Sequence, residues 1–245
     1  MYSSRLNHGP VALAFTDRHG GVSSAPYDSL NLAWSGDDPA ALAENHRLLG
    51  ADFAPGDPVA ALSQVHGKDV AYVGPDGPTT ELHGHLHARA DGIVTDQPGV
   101  TLMVRGADCA MVLFADPEAR VIGGCHAGRP GLVVGVVPAT IARMRELGAR
   151  DITAWLGPHV CGRCYEVPQE LQDAVAAAVP ASLATTSWGT PSVDIGAGIR
   201  SQLAAEGVVC VDLSACTLES PDLYSYRRDH LASGRQAGLI RMAPA

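Results

Sequence analysis

The chain has 245 residues, of which 46% are apolar, and it carries a formal net charge of −9. This length and composition can bury a sizeable core. The negative charge argues against a general nucleic-acid binder, which needs clustered lysine and arginine. The longest apolar run near the N-terminus, Val11–Phe15, is far too short for a signal peptide or a membrane span. We therefore expect a cytoplasmic protein that does not enter a membrane.

Consecutive short apolar runs dominate the first half of the chain. Val11–Phe15 predicts a strand, and a loop rich in Gly, Ser, Asp and Pro follows it. Loops of this length inside a compact domain tend to be functional, and Arg18 stands out in this one. Pro39–Leu49 has helical spacing. The further predicted strands of this half are Val59–Val65, Val70–Val73, Ile93–Thr95 and Val100–Arg105.

Three histidines, His83, His85 and His87, alternate in the polar stretch after the second of these strands. On a strand, this spacing would place three imidazoles on one face, as a metal site could require. The surrounding sequence has no run of β-branched residues, however. We therefore expect a mobile, exposed loop here rather than a metal site.

Strands alternate with helices in the second half. Three segments have helical character: Gly135–Leu147, Pro168–Val179 and Ala197–Glu206. The predicted strands are Ala110–Ala115, Val121–Gly124, Ile152–Leu156, Val193–Ile195, Val208–Leu213 and Leu239–Met242. Consecutive strands followed by alternating elements favour an α/β fold with mixed, layered sheets over a Rossmann fold.

Two residues that can bind a metal flank the central apolar runs. Cys109 precedes Ala110–Ala115, and His126 follows Val121–Gly124, so a hairpin or adjacent strands would bring them together. His66, at the end of another apolar stretch, is a third candidate. Cysteine and histidine suit zinc and also copper. Three protein ligands would leave a fourth position for water or substrate, and a metal-bound water can be a nucleophile near neutral pH.

The same residues allow two other interpretations. Cys109 could be a nucleophile that a neighbouring histidine activates. Alternatively, Cys109 and both histidines could be buried groups with a purely structural role. Cys125 would point to the opposite face of an extended segment, so we leave it out of the site.

Two further groups of residues could carry chemistry. Cys161 and Cys164 form a Cys-x2-Cys pair, with Cys210 and Cys216 downstream. Four thiols could hold a structural zinc, but the wider spacing of the second pair favours local packing. The arginines near the C-terminus match the geometry of phosphate or carboxylate, or else belong to a solvated basic turn; they are Arg227, Arg228 and Arg235.

Seven motifs occur in an order that resembles the YfiH-type family: FTDRHGGVS, SQVHG, ADGIVT, ADCAMVLFAD, HAGRPG, CYEV and YSYRRD. Members of that family have been called laccase-like or polyphenol oxidases, purine nucleoside phosphorylases and peptidoglycan editing factors. The resemblance spans about residues 11 to 242. It implies one domain over residues 1–245, with layers in the order α-β-β-α. It also implies a catalytic zinc site formed by His66, Cys109 and His126.

The resemblance implies a zinc-dependent purine nucleoside enzyme, both transferase and hydrolase. Its expected reactions are phosphorolysis of adenosine, inosine, guanosine and methylthioadenosine, and deamination of adenosine. The partners would then be a small nucleoside and phosphate, while the oligomeric state stays open. Four arginines at motif positions are candidates for binding substrate phosphate: Arg18, Arg227, Arg228 and Arg235.

Two other activities are associated with the family. One is a peptidoglycan-precursor editing hydrolase that removes misincorporated serine from UDP-muramoyl precursors. The other is phenol oxidation, which is the weaker expectation because multicopper oxidases need many paired histidines and an H-C-H run. Here the paired pattern occurs only between His83 and His87. Cu²⁺ could still replace zinc in a single mononuclear site.

The chain also departs from the family pattern at one corner. Relatives commonly read HAGWRG, whereas this chain has Arg129-Pro130 after Gly128. An aromatic residue is lost and the arginine is moved or replaced. We expect this corner to differ from that of the relatives.

Overall fold

A computed structural model describes residues 1–75, 80–82 and 85–244, with the backbone alone over 80–82 and 85–87. The strands of this part of the chain are numbered β1 to β15. In order they are Tyr2–His8, Val11–Thr16, Val59–Leu62, Val70–Tyr72, Thr80–Leu82, His85–Ala88, Gly92–Thr95, Thr101–Gly106, Ala110–Asp116, Val121–Ala127, Thr153–Leu156, Leu183–Thr185, Pro191–Val193, Val209–Asp212 and Gln236–Met242.

The helices of the same part are α1 to α6: Pro39–Phe53, Arg129–Val134, Val136–Glu146, Gln169–Ala178, Ile195–Ala205 and Tyr226–Asp229. Short 3-10 turns lie at Pro180–Ser182 and His230–Ala232. None of the helices in the described residues is both long and apolar enough to cross a bilayer.

Two large mixed sheets organise the chain. The first has seven strands in the order β1-β2-β15-β8-β3-β6-β5, and the second has six in the order β14-β11-β9-β10-β7-β4. β12 and β13 form a separate pair. Most neighbours are antiparallel, and the parallel pairs are β3 with β6 and β8, β4 with β7, and β11 with β14. A Rossmann fold needs a mostly parallel sheet, so the predicted exclusion of that fold is confirmed.

The hydrophobic core has three layers. Between the sheets, Leu13 and Phe15 of β2 belong to one buried cluster with Leu113 of β9. Outside the seven-stranded sheet, α1 contributes Leu49 to a second cluster. Outside the six-stranded sheet, α3 and α5 contribute to a third, for example through Ile141. The order of layers is therefore α-β-β-α, and the predicted fold class is confirmed.

The burial of the middle strand β9 explains its apolar sequence. Every residue from Ala110 to Asp116 is buried. Val112 and Phe114 face the helices, while Met111 and Leu113 face the other sheet. A strand covered on both faces needs apolar residues at consecutive positions, which is why this run shows no alternation.

Several elements differ from the prediction. β10 continues past Gly124 to Ala127, so that His126 is inside a strand. β1 was not predicted because it is a polar strand that pairs with β2 at the edge of a sheet. Polar edge strands lack the apolar pattern that identifies buried ones. The short α2 and β12 were also absent from the prediction.

The expected loop around the alternating histidines is wrong in part. β5 and β6 form an antiparallel pair, with Leu82 opposite His85. His85 and His87 thus belong to a strand of the seven-stranded sheet, whereas His83 lies outside the described residues. β6 also pairs with β3 on its other side, and this pairing accounts for a strand that the local sequence does not indicate.

Asp116, at the end of β9, ties together the turns after β9 and α3. Its carboxylate accepts hydrogen bonds from the backbone N–H groups of Glu118 and Ala119 at 3.1 and 3.0 Å. It accepts two more from Arg150 and Asp151 at 2.6 and 2.9 Å. Burial alone would raise the pKa of Asp116, but these amides outweigh it and lower the pKa below its ordinary value.

Asp116→Asn should lower the free energy of unfolding by about 2 kcal/mol at neutral pH, because a charged acceptor is lost from four amides. The folded pKa of Asp116 lies below the unfolded value, which is about 3.9. Its contribution is therefore complete above that value and is lost as the pH falls through the folded pKa. Urea unfolding at neutral pH and at about pH 3 should show the gap between wild type and variant narrowing in acid.

The matched control is Asp151→Asn, because the Asp151 side chain is exposed. We expect this control to unfold like the wild type at both pH values. An Asp116→Asn deficit that stays constant with pH would contradict the assignment of the effect to the carboxylate charge.

Candidate metal centre and active site

The three predicted ligands lie at neighbouring strand ends. His66 is in the loop after β3, Cys109 is in the turn between β8 and β9, and His126 is in β10. β9 and β10 are antiparallel partners, with Met111 opposite His126. Cys109 precedes β9 and therefore lies beside the end of β10, in agreement with the predicted pair of adjacent strands.

The three side chains converge. Cys109 Sγ is 3.9 Å from His66 Nε2. The rings of His66 and His126 have centroids 4.8 Å apart and planes at 79°. One possible ligand atom from each residue lies within 4.8 Å of the other two. Ligands of a tetrahedral zinc ion lie about 3.6 Å apart, from ordinary Zn–N and Zn–S bond lengths. The group could therefore hold one metal ion.

A buried carboxylate, Asp91, orders two of these ligands. It accepts hydrogen bonds from the backbone N–H groups of Val65, His66 and Gly67 at 3.0, 3.0 and 2.7 Å. It also accepts one from Nδ1 of His126 at 2.9 Å. Burial alone would raise the pKa of Asp91, but these hydrogen bonds lower it below its usual value. Asp91 is thus an ionised acceptor that fixes both the His66 loop and the His126 ring.

Burial favours the neutral form of His126, which a metal ligand would need. Burial lowers the pKa of its imidazole, and the hydrogen bond and charge of Asp91 only partly oppose this effect. Because Nδ1–H is donated to Asp91, the lone pair on Nε2 remains for a metal ion. Metal-binding histidines commonly have a carboxylate partner of this kind.

The Cys109 thiol needs a cation in order to ionise. Its pKa is raised to about 12, mainly by burial, and the charges of Asp108 and Asp91 act in the same direction. Arg235 and Arg129 oppose this rise. The thiol is therefore protonated near neutral pH, which disfavours the alternative of a cysteine nucleophile activated by a neighbouring histidine. A metal ion would supply the charge that stabilises the thiolate.

The loops that carry the ligands have unusual backbone geometry. His66 and Asp108 have φ values of 61° and 84°, which residues other than glycine seldom adopt. The Asp108 carboxylate accepts hydrogen bonds from Thr217 Oγ1, at 2.6 Å, and from the backbone N–H of Arg227. The Asp108 carbonyl accepts one from Val160 at 3.0 Å. Three separate segments thus hold the turn next to Cys109.

Gly128 has a steric reason to be glycine. A Cβ atom at this position would lie 2.7 Å from Cys109 Sγ and 2.9 Å from His66 Cδ2. Any side chain would therefore push two of the three ligands aside. The next residue, Arg129, begins α2, and its positive charge acts on Cys109.

The three side chains line a cavity of about 640 Å³, a size suited to a small organic molecule. The other charged and aromatic residues of its wall are three arginines, one aspartate and three aromatics: Arg105, Arg227, Arg235, Asp108, Trp34, Tyr165 and Tyr226. Because Asp108 is committed to the hydrogen bonds described above, the cavity favours an anionic ligand.

Two of the four arginines predicted to bind phosphate line this cavity. The Arg227 guanidinium lies 4.7 Å from the centre of the Tyr165 ring. Arg235 donates to the carbonyls of Ser233 and Gly234 at 2.9 and 2.8 Å. Burial lowers the pKa of Arg235. Both side chains border the space in which an anion could bind.

The other two arginines are used elsewhere in the fold. Arg18 donates to the carbonyls of Asp28 and Pro26, and so closes the long loop before α1. Arg228 donates to the carbonyls of Thr217, Ser220 and Leu223 and contacts Asp229. Neither is part of the cavity wall.

Arg105 is a basic residue of the site that the sequence analysis missed. Its guanidinium donates to the carbonyls of Leu32 and Leu62 at 3.3 and 3.2 Å and lies 3.9 Å from the Trp34 ring centre. Within the described residues, Nε of Arg105 has no hydrogen-bond partner. No carboxylate of those residues forms an ion pair with the Arg105 guanidinium. Burial lowers its pKa well below the usual value, and the charge of Arg235 adds to this effect. The sequence offers one signal, an arginine near the end of the apolar strand β8, which does not by itself indicate a position inside a cavity.

Comparisons with known proteins give the family. Residues 12–243 match the sequence model of the family described as multi-copper polyphenol oxidoreductase laccase. The chain belongs to this family. The resemblance to the YfiH type is thereby confirmed, since "Purine nucleoside phosphorylase YfiH" of Escherichia coli is 39% identical over 94% of this chain and 93% of its own length.

Two further relatives extend the comparison. "Purine nucleoside phosphorylase ORF3" of Streptomyces griseus is 52% identical over 95% of this chain and 94% of its own length. The crystal structure of a Neisseria meningitidis protein from the DUF152 family covers 98% of this chain and 99% of its own. Its TM-score is 0.84 at 32% identity. The fold and family therefore extend over nearly the whole chain.

Proposed function

We propose that this protein is a zinc-dependent purine nucleoside phosphorylase with His66, Cys109 and His126 as its metal ligands and catalytic centre. The observation that carries the proposal is the position of these three residues in one cavity with arginines that form no ion pair with a carboxylate of the described residues. The names of the relatives, purine nucleoside phosphorylases from several bacteria, support the same reaction.

The donor set favours zinc as the metal. One thiolate and two imidazoles are typical ligands of catalytic zinc, and three protein ligands would leave a fourth position for water or substrate. When bound, zinc supplies a Lewis acid next to the substrate. The chain positions these side chains before a metal binds, because Asp91 orients His126 and the His66 loop. Cu²⁺ could occupy the same donors, as the laccase description of the family would require.

The cavity wall supports a nucleoside and a phosphate as substrates. In phosphorolysis a phosphate oxygen bonds to C1′ of the ribose while the bond from C1′ to the purine nitrogen breaks. Arg105, Arg227 and Arg235 can bind the phosphate and orient it towards C1′. Tyr165 and Tyr226 offer aromatic faces on which a purine can stack. Adenosine, inosine, guanosine and methylthioadenosine all share these two parts, and deamination of adenosine could use the same metal.

Cys109→Ala should reduce phosphate-dependent cleavage of inosine by at least about 100-fold, because the metal loses its only anionic ligand. The measurement is release of hypoxanthine and ribose 1-phosphate by the zinc-loaded protein. Cys210→Ser is the matched control, because Cys210 lies on β14 outside the cavity, and it should retain full activity.

Three outcomes would contradict this proposal. One is full activity of Cys109→Ala, and another is hypoxanthine release that is independent of phosphate. The third is inertness towards inosine together with release of serine from a UDP-muramoyl-serine precursor, which would favour the peptidoglycan-editing hydrolase. The same preparation can be tested with a phenol and copper for the oxidase.

Arg105→Met should raise the KM for phosphate by about 30-fold, because a charged hydrogen bond in a dry site is worth about 2 kcal/mol. The fold should tolerate the change, because Met keeps an apolar stem and removes a buried charge that no carboxylate of the described residues neutralises. The measurement is the phosphate dependence of inosine cleavage, with the thermal midpoint recorded for each variant. Arg18→Met, outside the cavity, is the control and should leave the phosphate KM unchanged. An unchanged KM in Arg105→Met would contradict the role of Arg105.

A further inference from the structure

A second group of possible metal ligands lies outside the cavity. It consists of Cys161, Cys164, Cys216 and Glu219, and one ligand atom from each lies within 4.8 Å of the other three. Cys164 Sγ is 3.5 Å from Glu219 Oε1. The thiols are free cysteines. Cys210, which the sequence analysis grouped with them, is not part of this cluster.

The sheet topology brings the two halves of the cluster together. β11 and β14 are parallel neighbours, so both strands end at the same edge of the six-stranded sheet. Cys161 and Cys164 follow β11, whereas Cys216 and Glu219 follow β14. A parallel bridge between His159 and Cys216 extends the pairing beyond the strands. Residues far apart in sequence therefore meet for a simple topological reason.

The two halves have the same spacing and similar turns. Cys161-x2-Cys164 and Cys216-x2-Glu219 each place two ligands three positions apart. Backbone hydrogen bonds close the first turn from Cys164 N–H to the Cys161 carbonyl, at 3.0 Å. They close the second from Ser220 N–H to the Cys216 carbonyl, also at 3.0 Å. Two such short turns that face each other are the usual frame of a structural zinc site.

The surroundings of the cluster favour a bound cation. The backbone N–H of Cys161 donates to Cys216 Sγ at 3.4 Å, an interaction that strengthens when the sulfur is a thiolate. Three thiolates and one carboxylate would carry four negative charges. Arg163, 3.6 Å from Glu219, offsets only one of them. A divalent ion is needed to hold these groups together in ionised form.

We propose that Cys161, Cys164, Cys216 and Glu219 bind a second zinc ion with a structural role. Thiolates select zinc over magnesium or calcium. Three sulfurs and one oxygen complete a tetrahedron and leave no position for substrate, as in structural rather than catalytic sites. On binding, each thiol releases its proton to solvent and donates a sulfur lone pair to the metal, with no change of oxidation state.

A redox Cys-x2-Cys motif is less consistent with the geometry. Redox motifs of that kind stand at the N-terminus of a helix, which lowers the pKa of the first thiol. Here the pair is followed by a turn and by a bridge from Glu166 to Ser192, and α4 begins only at Gln169. Cys164 also faces a third thiol and a carboxylate, which a simple dithiol would not require.

The second ion would stabilise the wall of the cavity. Val160 and Tyr165 flank the first turn, and both line the cavity. Val160 N–H and Thr217 Oγ1, one from each half of the cluster region, hold Asp108 next to Cys109. A metal that joins the two turns would therefore fix the turn that positions Cys109, without contact with substrate.

The test is the zinc content of the full-length chain after purification without chelators. Cys216→Ser should lose about one equivalent of zinc relative to wild type. Cys210→Ser is the matched control and should lose none. Cys109→Ala removes a ligand of the first centre and should keep about one equivalent, which separates this proposal from the one on catalysis.

Cobalt gives an independent readout that does not depend on how the Cys216 variant folds. Added to the Cys109→Ala chain, Co²⁺ should show the intense near-ultraviolet charge-transfer bands of a site with several thiolates. Glu219→Gln should shift the visible bands while it keeps these charge-transfer bands. Three results would overturn the proposal: no thiolate bands in Cys109→Ala, unchanged zinc in Cys216→Ser, or a Cys161–Cys164 disulfide in place of metal.

Discussion

The carboxylate of Asp91 is the interaction on which the candidate centre depends. Asp91 is buried and immediately precedes β7, and its carboxylate accepts hydrogen bonds from the amides of the His66 loop and from His126. One side chain thereby joins a ligand on a loop to a ligand on a strand. Without it, the backbone N–H of His66, a residue with positive φ, would lose its acceptor, and Nδ1 of His126 would lose the partner that orients the ring.

The positive charge of the cavity wall has a related cause, because the carboxylates near it are bound to other groups. Asp91 and Asp108 are used internally, by backbone amides, Thr217 and His126. The guanidinium of Arg105 instead contacts carbonyl oxygens and an aromatic ring, and no carboxylate in the described part of the chain forms an ion pair with it. A buried positive charge of this kind is costly unless an anion binds. The cavity thus places a buried cation beside the three candidate metal ligands. This arrangement suits the proposed phosphorolysis, in which a phosphate oxygen bonds to C1′ of the ribose.

Much of this arrangement could be predicted from the sequence. The strands β9 and β10, which are buried on both faces, are recognisable as uninterrupted apolar runs. Cys109 precedes the first run and His126 follows the second, so that a hairpin brings the two residues together. Arg105 could not be selected, because only the fold shows that an arginine at a strand end lies against Trp34 inside a cavity. Glu219 could not be assigned to the thiol cluster for a similar reason. The parallel pairing of β11 and β14, which brings Glu219 to the thiols, is not visible in either segment alone. Polar edge strands such as β1 were missed because tertiary pairing, rather than local pattern, defines them.

The most direct test of the account is the zinc affinity of Asp91→Asn, measured by competition with a chromophoric chelator. An amide keeps the shape of the side chain but loses the charge and part of the acceptor capacity that orient His126 and the His66 loop. We expect the affinity of the centre to fall by about 10- to 100-fold. Asp96→Asn, which alters an exposed contact with Tyr72, should not change it. An affinity of Asp91→Asn equal to that of the wild type would contradict the claim that this carboxylate organises the centre.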